Sequence, residues 1–257
     1  APEAFAGASS TLILPPLTAD RLQRATAAIA QAAAARVPAA YLLSVMGADS
    51  PSAPPSLGEY GQLEQALRAA FPARAIVLRT FFYSSNLLLW ASDAQRARAL
   101  RLPLPANACL APLYAGDVSA VVAALASPAD RRADGRHAGS GGCGQALARG
   151  GNQRILGLTG PTWHSGPQIA AIASAAVGRP LGFDAVPNAT AAAILQQGGG
   201  LDPSEARLLL DLLALQRRPA RCEGRPASPD FLACTGRNAS SLHRFFAENA
   251  QAFRPPQ

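Results

Sequence analysis

The sequence predicts an α/β fold, with a parallel sheet covered by helices and then a smaller, mostly helical C-terminal part. Three observations predict it. The strand-like runs Thr11–Leu14, Ala40–Met46 and Ala75–Arg79 are apolar throughout rather than alternating, as expected of strands buried on both faces. Stretches of helical periodicity separate these runs, giving strand, helix, strand, helix, strand. From Leu156 onward, helix caps and helical spacing dominate.

Thr11–Leu14 ends at Pro15 and Pro16, which cannot donate to a continuing ladder. Thr18-Ala19-Asp20 then caps a helix in which Leu22, Ala25, Ile29 and Ala32 share one face, and Pro38 follows its end. After the Ala40–Met46 strand, Gly47–Pro55 is turn and loop by composition. The next helix is expected over about 57–71, with Leu57, Tyr60, Leu63, Leu67 and Ala70 on its inner face. Past the third strand, Thr80-Phe81-Phe82-Tyr83 and Asn86 form an aromatic and polar segment. It stands where open α/β sheets place their ligands. Asp117–Ser127 reads as a helix with Asp117 in the N-cap position.

Residues 127–152 are Gly, Ala, Arg and Ser with almost no large apolar side chain, so a disordered insertion is expected there. Gly141–Gly144 within it is no phosphate loop, because no strand precedes it and no lysine follows. Ile155–Leu158 is a short buried strand and Thr159-Gly160-Pro161 a turn. Ser165 and Gln168 form a capping box for a small-residue helix closed by Gly178. Asp202-Pro203-Ser204-Glu205 starts a further helix with proline at its first position, and Ser240 or Ser241 caps the last one.

The net charge is +7, yet all 23 basic residues are arginine, scattered singly or in pairs. Without a clustered basic face or an aromatic stripe, a nucleic-acid surface is not expected. No apolar run approaches the ~20 residues that span a bilayer, so no membrane segment is expected either. Cys109, Cys143, Cys222 and Cys234 show no C-x-x-C and no histidine at ligand spacing. A metal site is therefore not expected, and reduced cysteines are the plain reading.

Tyr60 is followed at i+4 by Glu64 rather than by a lysine, and an anionic neighbour would raise a tyrosine pKa. Glu64 reads as a solvated helix charge, or more sharply as the partner of Arg79. Trp163 and His164 read as surface packing before a capped helix, and His243 as structural. No catalytic residue is assigned.

Several segments together resemble the NmrA-like family, a branch of the atypical short-chain dehydrogenases. They are Tyr41–Gly47; Ile76–Arg79 with Phe81, Phe82, Tyr83 and Asn86; the helix start Asp117-Val118; Leu158-Thr159-Gly160-Pro161; and Leu232–Arg237 followed by Ser241–Phe246. The resemblance implies a partial Rossmann-like domain over 1–126, the insertion 127–152, and a substrate or interaction domain over 153–257. It also implies NADP or NAD as cofactor and NAD(P)H-dependent reduction of quinone-like small acceptors. Pro15, Pro16, Ser44, Met46, Thr80, Phe81 and Phe82 would then contact the cofactor, and Tyr83 and Asn86 a small aromatic acceptor.

Two departures qualify these implications. The family's G-x-x-G-x-x-G turn is absent, and Ala1–Ser10 resembles the stretch before the family's fourth strand. An upstream half in a longer product is therefore expected, leaving Thr11–Leu14 as a sheet edge. The Tyr-x-x-x-Lys pair of typical short-chain dehydrogenases is missing too. Two alternatives stay open: a non-catalytic NAD(P) redox sensor acting through protein partners, or a degenerate module that no longer binds dinucleotide. The expected compartment is the cytoplasm, or an organelle if an upstream targeting segment exists.

Overall fold

The computed structural model describes residues 2–127, 143, 154–217 and 220–254. The elements in chain order are β1 (Thr11–Ile13), α1 (Arg21–Ala34), β2 (Ala40–Val45), α2 (Pro55–Ala70), β3 (Ala75–Thr80), α3 (Ala91–Ala97), β4 (Ala99–Leu102), β5 (Cys109–Leu110) and α4 (Ala115–Ala126). There follow β6 (Ile155–Leu158), β7 (His164–Ser165), α5 (Gly166–Val177), β8 (Gly182–Ala185), α6 (Asn188–Gln197), α7 (Pro203–Ala214), α8 (Asp230–Thr235) and α9 (Leu242–Asn249). The stretch 127–152, expected as a disordered insertion, lies outside the described residues apart from Ser127 and Cys143.

The chain forms two compact units. The first comprises Ala1–Thr80, Val118–Leu158 and Pro229–Asn238. Its sheet has the order β1-β2-β3-β6 and is parallel throughout, with Thr11 opposite Ala40, Ala40 opposite Ala75 and Val77 opposite Ile155. Leu42, Val77, Leu78, Leu156 and Leu158 are fully buried, which is why the strands carry apolar residues on both faces. The predicted helix faces are the buried ones. α1 covers Ala25, Ile29 and Ala32, while α2 covers Leu57, Tyr60, Leu63 and Leu67. Ile13, Ile29, Leu42, Leu63, Leu67 and Val77 belong to one continuous core. β1 is an edge strand, as expected, and Leu14 beyond it is 60% exposed.

Neither α1 nor α2 is capped by a side chain at its N-terminus. Asp20 precedes α1, but its carboxylate accepts hydrogen bonds from Thr18 and Arg24 instead. Two further ties close this unit: the Tyr41 hydroxyl donates to the Leu125 carbonyl at 2.9 Å, and the Gly157 amide donates to Asp230 at 2.8 Å.

The second unit comprises Phe81–Asp117, Thr159–Ser228 and Ala239–Gln257. Its strands are short, with β4 parallel to β8 and β5 antiparallel to β7. Three of its helices carry side-chain caps where the sequence predicts helix starts, whereas α3 and α6 carry none. Ser165 and Gln168 complete the box on α5, which ends at Gly178 with φ +79°. Asp202 and Glu205 complete the box on α7, and Ser241 caps α9. The edge-to-face rings Phe245, Phe246 and Phe253 stand 5.2 and 5.3 Å apart in its core.

Three expectations are corrected. Asp117 is not an N-cap but the third residue of α4, and its buried carboxylate accepts from the Ser240 amide at 2.6 Å and the Ser240 hydroxyl at 3.2 Å. The Asp thus pins a segment 123 residues away, a partnership that local pattern cannot reveal. Cys109 and Cys222 are not reduced. They form a disulfide across a separation of 113 residues, with Cα atoms 5.6 Å apart, while Cys143 and Cys234 form no disulfide among the described residues. Trp163 is buried rather than superficial: its indole N–H donates to the Pro226 carbonyl at 3.0 Å, and the Arg225 guanidinium lies 3.4 Å over its ring.

Candidate functional site

The carboxyl edge of the parallel sheet is where a first-unit site would be built, because open parallel sheets offer their ligand crevice there. β1 delivers Leu14, Pro15 and Pro16 to this edge. Pro15 and Pro16 are half-buried, while Leu14 and the following Leu17 are exposed. β2 delivers half-buried Met46, whose amide donates to the Thr80 carbonyl at 2.9 Å. β3 delivers Thr80, buried, with its hydroxyl donating to the Ser44 carbonyl at 3.1 Å. The strand ends are thereby laced together, and what they leave open is apolar.

Beneath this rim lies a charged network that the sequence only hinted at. Glu64 is 1% exposed. It accepts the Ser44 hydroxyl at 2.7 Å, the Arg79 guanidinium at 2.9 and 2.7 Å, and Arg68 at 2.9 Å. Arg79 also donates to Asp49 at 2.7 Å. Glu64 is therefore not a solvated helix charge; the ion pair with Arg79 is the arrangement present. Such burial of a carboxyl is tolerated because donors fill its lone pairs. The Glu64 carboxylate, followed by Asp49, holds the Arg79 proton more firmly than usual. In return the Arg79 hydrogen bond holds Asp49 below the ordinary carboxylate range. Ser44 consequently spends its hydroxyl inside the fold.

Tyr60 is buried and its pKa is raised, as expected, but the cause is different. Burial dominates, and Arg21, whose guanidinium lies 5.2 Å over the ring, opposes it. The tyrosine is thus a protonated packing residue at neutral pH. Arg21 pairs with Glu59 at 3.0 Å, and Arg24 pairs with Asp20.

In the second unit, Phe81 and Phe82 are fully buried, with Phe82 6.3 Å from the Trp90 ring. Tyr83 is half-buried and forms a bridge with Leu113; Asn86 is half-buried and its amide donates to the Tyr83 carbonyl at 3.0 Å. The Thr-Gly-Pro turn has a packing reason. A Cβ on Gly160 would sit 2.2 Å from the Pro112 carbonyl oxygen, and the Gly160 amide donates to the Ala111 carbonyl at 3.0 Å. Burial, reinforced by His243, holds His164 below the ordinary imidazole value, so it is neutral at pH 7. Among the described residues no group of three or more His, Cys, Asp or Glu could hold a metal ion, and no helix is long and apolar enough to cross a membrane.

No protein-family model matches the sequence. The chain is 28% identical to the NAD(P)H azoreductase of Xenophilus azovorans over 262 residues, 98% of this chain and 79% of that protein. The NADPH complex of an NADPH-dependent quinone oxidoreductase from Escherichia coli superposes with a TM-score of 0.73 at 19% identity, covering 96% of this chain and 78% of that one. NmrA, a negative transcriptional regulator, gives a TM-score of 0.59 at 14% identity, covering 96% and 76%. At these identities the structural likeness is one of fold, and the fold of this chain is that of the NmrA-like, atypical short-chain dehydrogenases.

Proposed function

We propose that the chain works as an NAD(P)H-dependent reductase of small quinone-like or azo acceptors. The observation that carries this reading is the similarity to an NAD(P)H azoreductase along 98% of the chain. The donor set at the sheet edge supports it for one end of the cofactor. Leu14, Pro15, Pro16 and Met46 give a partly open, uncharged rim suited to a flat nicotinamide ring. That rim does not suit a pyrophosphate: Arg21, Arg24 and Arg79 are each paired with a carboxylate, and the sequence has no G-x-x-G-x-x-G turn.

When bound, the reduced nicotinamide supplies the hydride. The chain's own residues position and exclude water. Pro15 and Pro16 fix the β1 exit. Ser44 and Thr80 brace the ends of β2 and β3 through their hydrogen bonds to Glu64 and to the Ser44 carbonyl. Phe81 and Phe82 anchor the segment that presents Tyr83 and Asn86, for which we propose contact with the acceptor. Among the described residues, neither Tyr60, which is buried, nor Glu64, which is saturated with donors, is poised as an acid or base.

A second reading rests on that last observation. Without an acid–base pair, dinucleotide binding could be read by a protein partner instead of driving turnover. Titration of the chain with NADPH, followed by loss of its absorbance in the presence of a naphthoquinone or an azo dye, separates the two. Binding with turnover is expected. Binding without turnover selects the sensor, and no binding sinks both. Tyr83→Ala should raise KM for the acceptor while leaving NADPH affinity unchanged.

A further inference from the structure

We propose that the Cys109–Cys222 disulfide is an exchange site for dithiols, a redox clasp that sets the order of segment 220–228 in the second unit. The two sulfurs stand in different surroundings. Cys109 is 1% exposed on β5, whose partner β7 leads directly into α5. Cys222 is half-buried on a segment without helix or strand. It lines an open cavity of about 340 Å³ together with Asn107, Ser165, Gln168, Arg221 and Glu223. An incoming thiolate can therefore reach the Cys222 sulfur through polar surroundings, while the fold shields Cys109.

The chemistry follows from that asymmetry. One thiolate of a dithiol attacks Cys222 Sγ, the S–S bond breaks, and Cys109 leaves as a thiolate. The second thiol of the reductant then attacks the mixed disulfide and releases Cys222. Two electrons and two protons pass from the dithiol to the pair, and the reductant ends as its own disulfide.

Reduction would loosen the segment without dissolving it. Its near end loses the covalent tie and keeps one backbone bond, Ala220 to the Asn107 carbonyl at 3.2 Å. Its far end stays held by Trp163 on Pro226, by Arg225 over the Trp163 ring, and by the Ser228 amide on Thr159 at 3.0 Å. A reduced, folded state with residues 221–224 released is thus a defined alternative to the closed one. Arg221 becomes cleavable, while Arg225 stays over the Trp163 ring.

The test uses the whole chain under native conditions, with dithiothreitol as reductant. Alkylation read by mass should show Cys109 and Cys222 opening while far-UV circular dichroism stays unchanged. Trypsin cleavage after Arg221 should rise about tenfold on reduction, as for a locally released segment, and oxidised dithiothreitol should restore protection. Cys222→Ser should be cleaved fast with or without reductant. A pair that resists dithiothreitol until the chain unfolds overturns the proposal, and so does equal cleavage in the two redox states. Both of those readouts are made on the unaltered chain, so the test survives a Cys222→Ser variant that fails to fold.

Discussion

The first unit builds its helices on a sheet; the second builds its own on caps and cross-links. In the first, α1 and α2 have no side-chain N-cap, and a parallel sheet, an apolar core and one buried charged network hold them. In the second, α5, α7 and α9 are all capped by side chains, the strand pairs are two to four residues long, and a disulfide joins β5 to a loop. The difference follows from what each sheet can supply. A wide parallel sheet buries one face of every helix laid on it, so end effects matter little. Short strand pairs offer less surface, and the termini of α5, α7 and α9 satisfy their amides with their own side chains, though α3 and α6 have no such cap.

The comparison breaks most visibly at Glu64. Its carboxyl is 2% exposed and Arg79 is 13% exposed, so Glu64→Ala leaves a guanidinium buried without its main partner. A loss of about 3–5 kcal/mol is expected, the range for removing one member of a buried pair. Denaturant unfolding followed by far-UV circular dichroism measures it. The combined change Glu64→Leu with Arg79→Met should recover part of that loss, because the two most buried charges leave together and Arg68 and Asp49, 32% and 63% exposed, can turn to water. If the single change costs no more than a surface pair would, the network is not what holds the end of the sheet.

The counterpart in the second unit is the disulfide. Cys222→Ala should cost about 2–4 kcal/mol through the released chain entropy of the unfolded state. Both tryptophans, Trp90 and Trp163, belong to the second unit, so their fluorescence follows that unit while circular dichroism follows both. The loss should appear in the fluorescence transition. The two units also share a device of the next size down. A Cβ on Gly61 would meet the Ala48 carbonyl oxygen at 2.4 Å, and one on Gly160 would meet that of Pro112 at 2.2 Å. Backbone oxygens cannot step aside as a flexible side-chain end can, so each Gly→Ala change should cost about 1–3 kcal/mol, the range for overpacking. Gly160→Ala should shift the fluorescence transition, and Gly61→Ala the circular dichroism one.

How far the sequence was legible follows the same division. Every strand of the parallel sheet was readable to within a residue, because burial on both faces writes a continuous apolar run, and the inner faces of α1 and α2 followed from periodicity. The capping box at Ser165 was readable because a cap is a local pattern of four residues, and the helix start at Asp202 was readable from its proline, though not its capping box. What was not legible is what two distant segments do together. Asp117 carries the signature of an N-cap and serves instead as the acceptor for Ser240, 123 residues on. Cys109 and Cys222 have no spacing that betrays a bond. Glu64 sits on a helix like any solvated acid until Ser44, Arg68 and Arg79 converge on it. At the candidate site the positions along the chain were legible, whereas the degree to which Ser44 and Thr80 are consumed by the fold was not.

The smallest expected effects test the claim about caps itself. Ser165→Ala removes the acceptor for the Gln168 amide and should cost about 1 kcal/mol. Asp20→Ala, at the start of α1, should leave the melting temperature unchanged, since that carboxylate caps nothing and its exposed pair with Arg24 is of the kind that contributes little. Acid sharpens the contrast. Hydrogen bonds from the Glu205 amide and then from Ser204 hold the Asp202 carboxyl below its ordinary value of 3.8. A carboxyl whose pKa falls on folding stabilises the native state above its unfolded value, and that contribution is lost as pH drops through the folded one. Asp202→Asn keeps a capping oxygen and removes the titration. The variant should melt slightly below the parent at neutral pH, and the gap should close as the pH falls well under 3.8. A gap that stays constant with pH would mean that the cap acts through geometry alone and that its charge is idle.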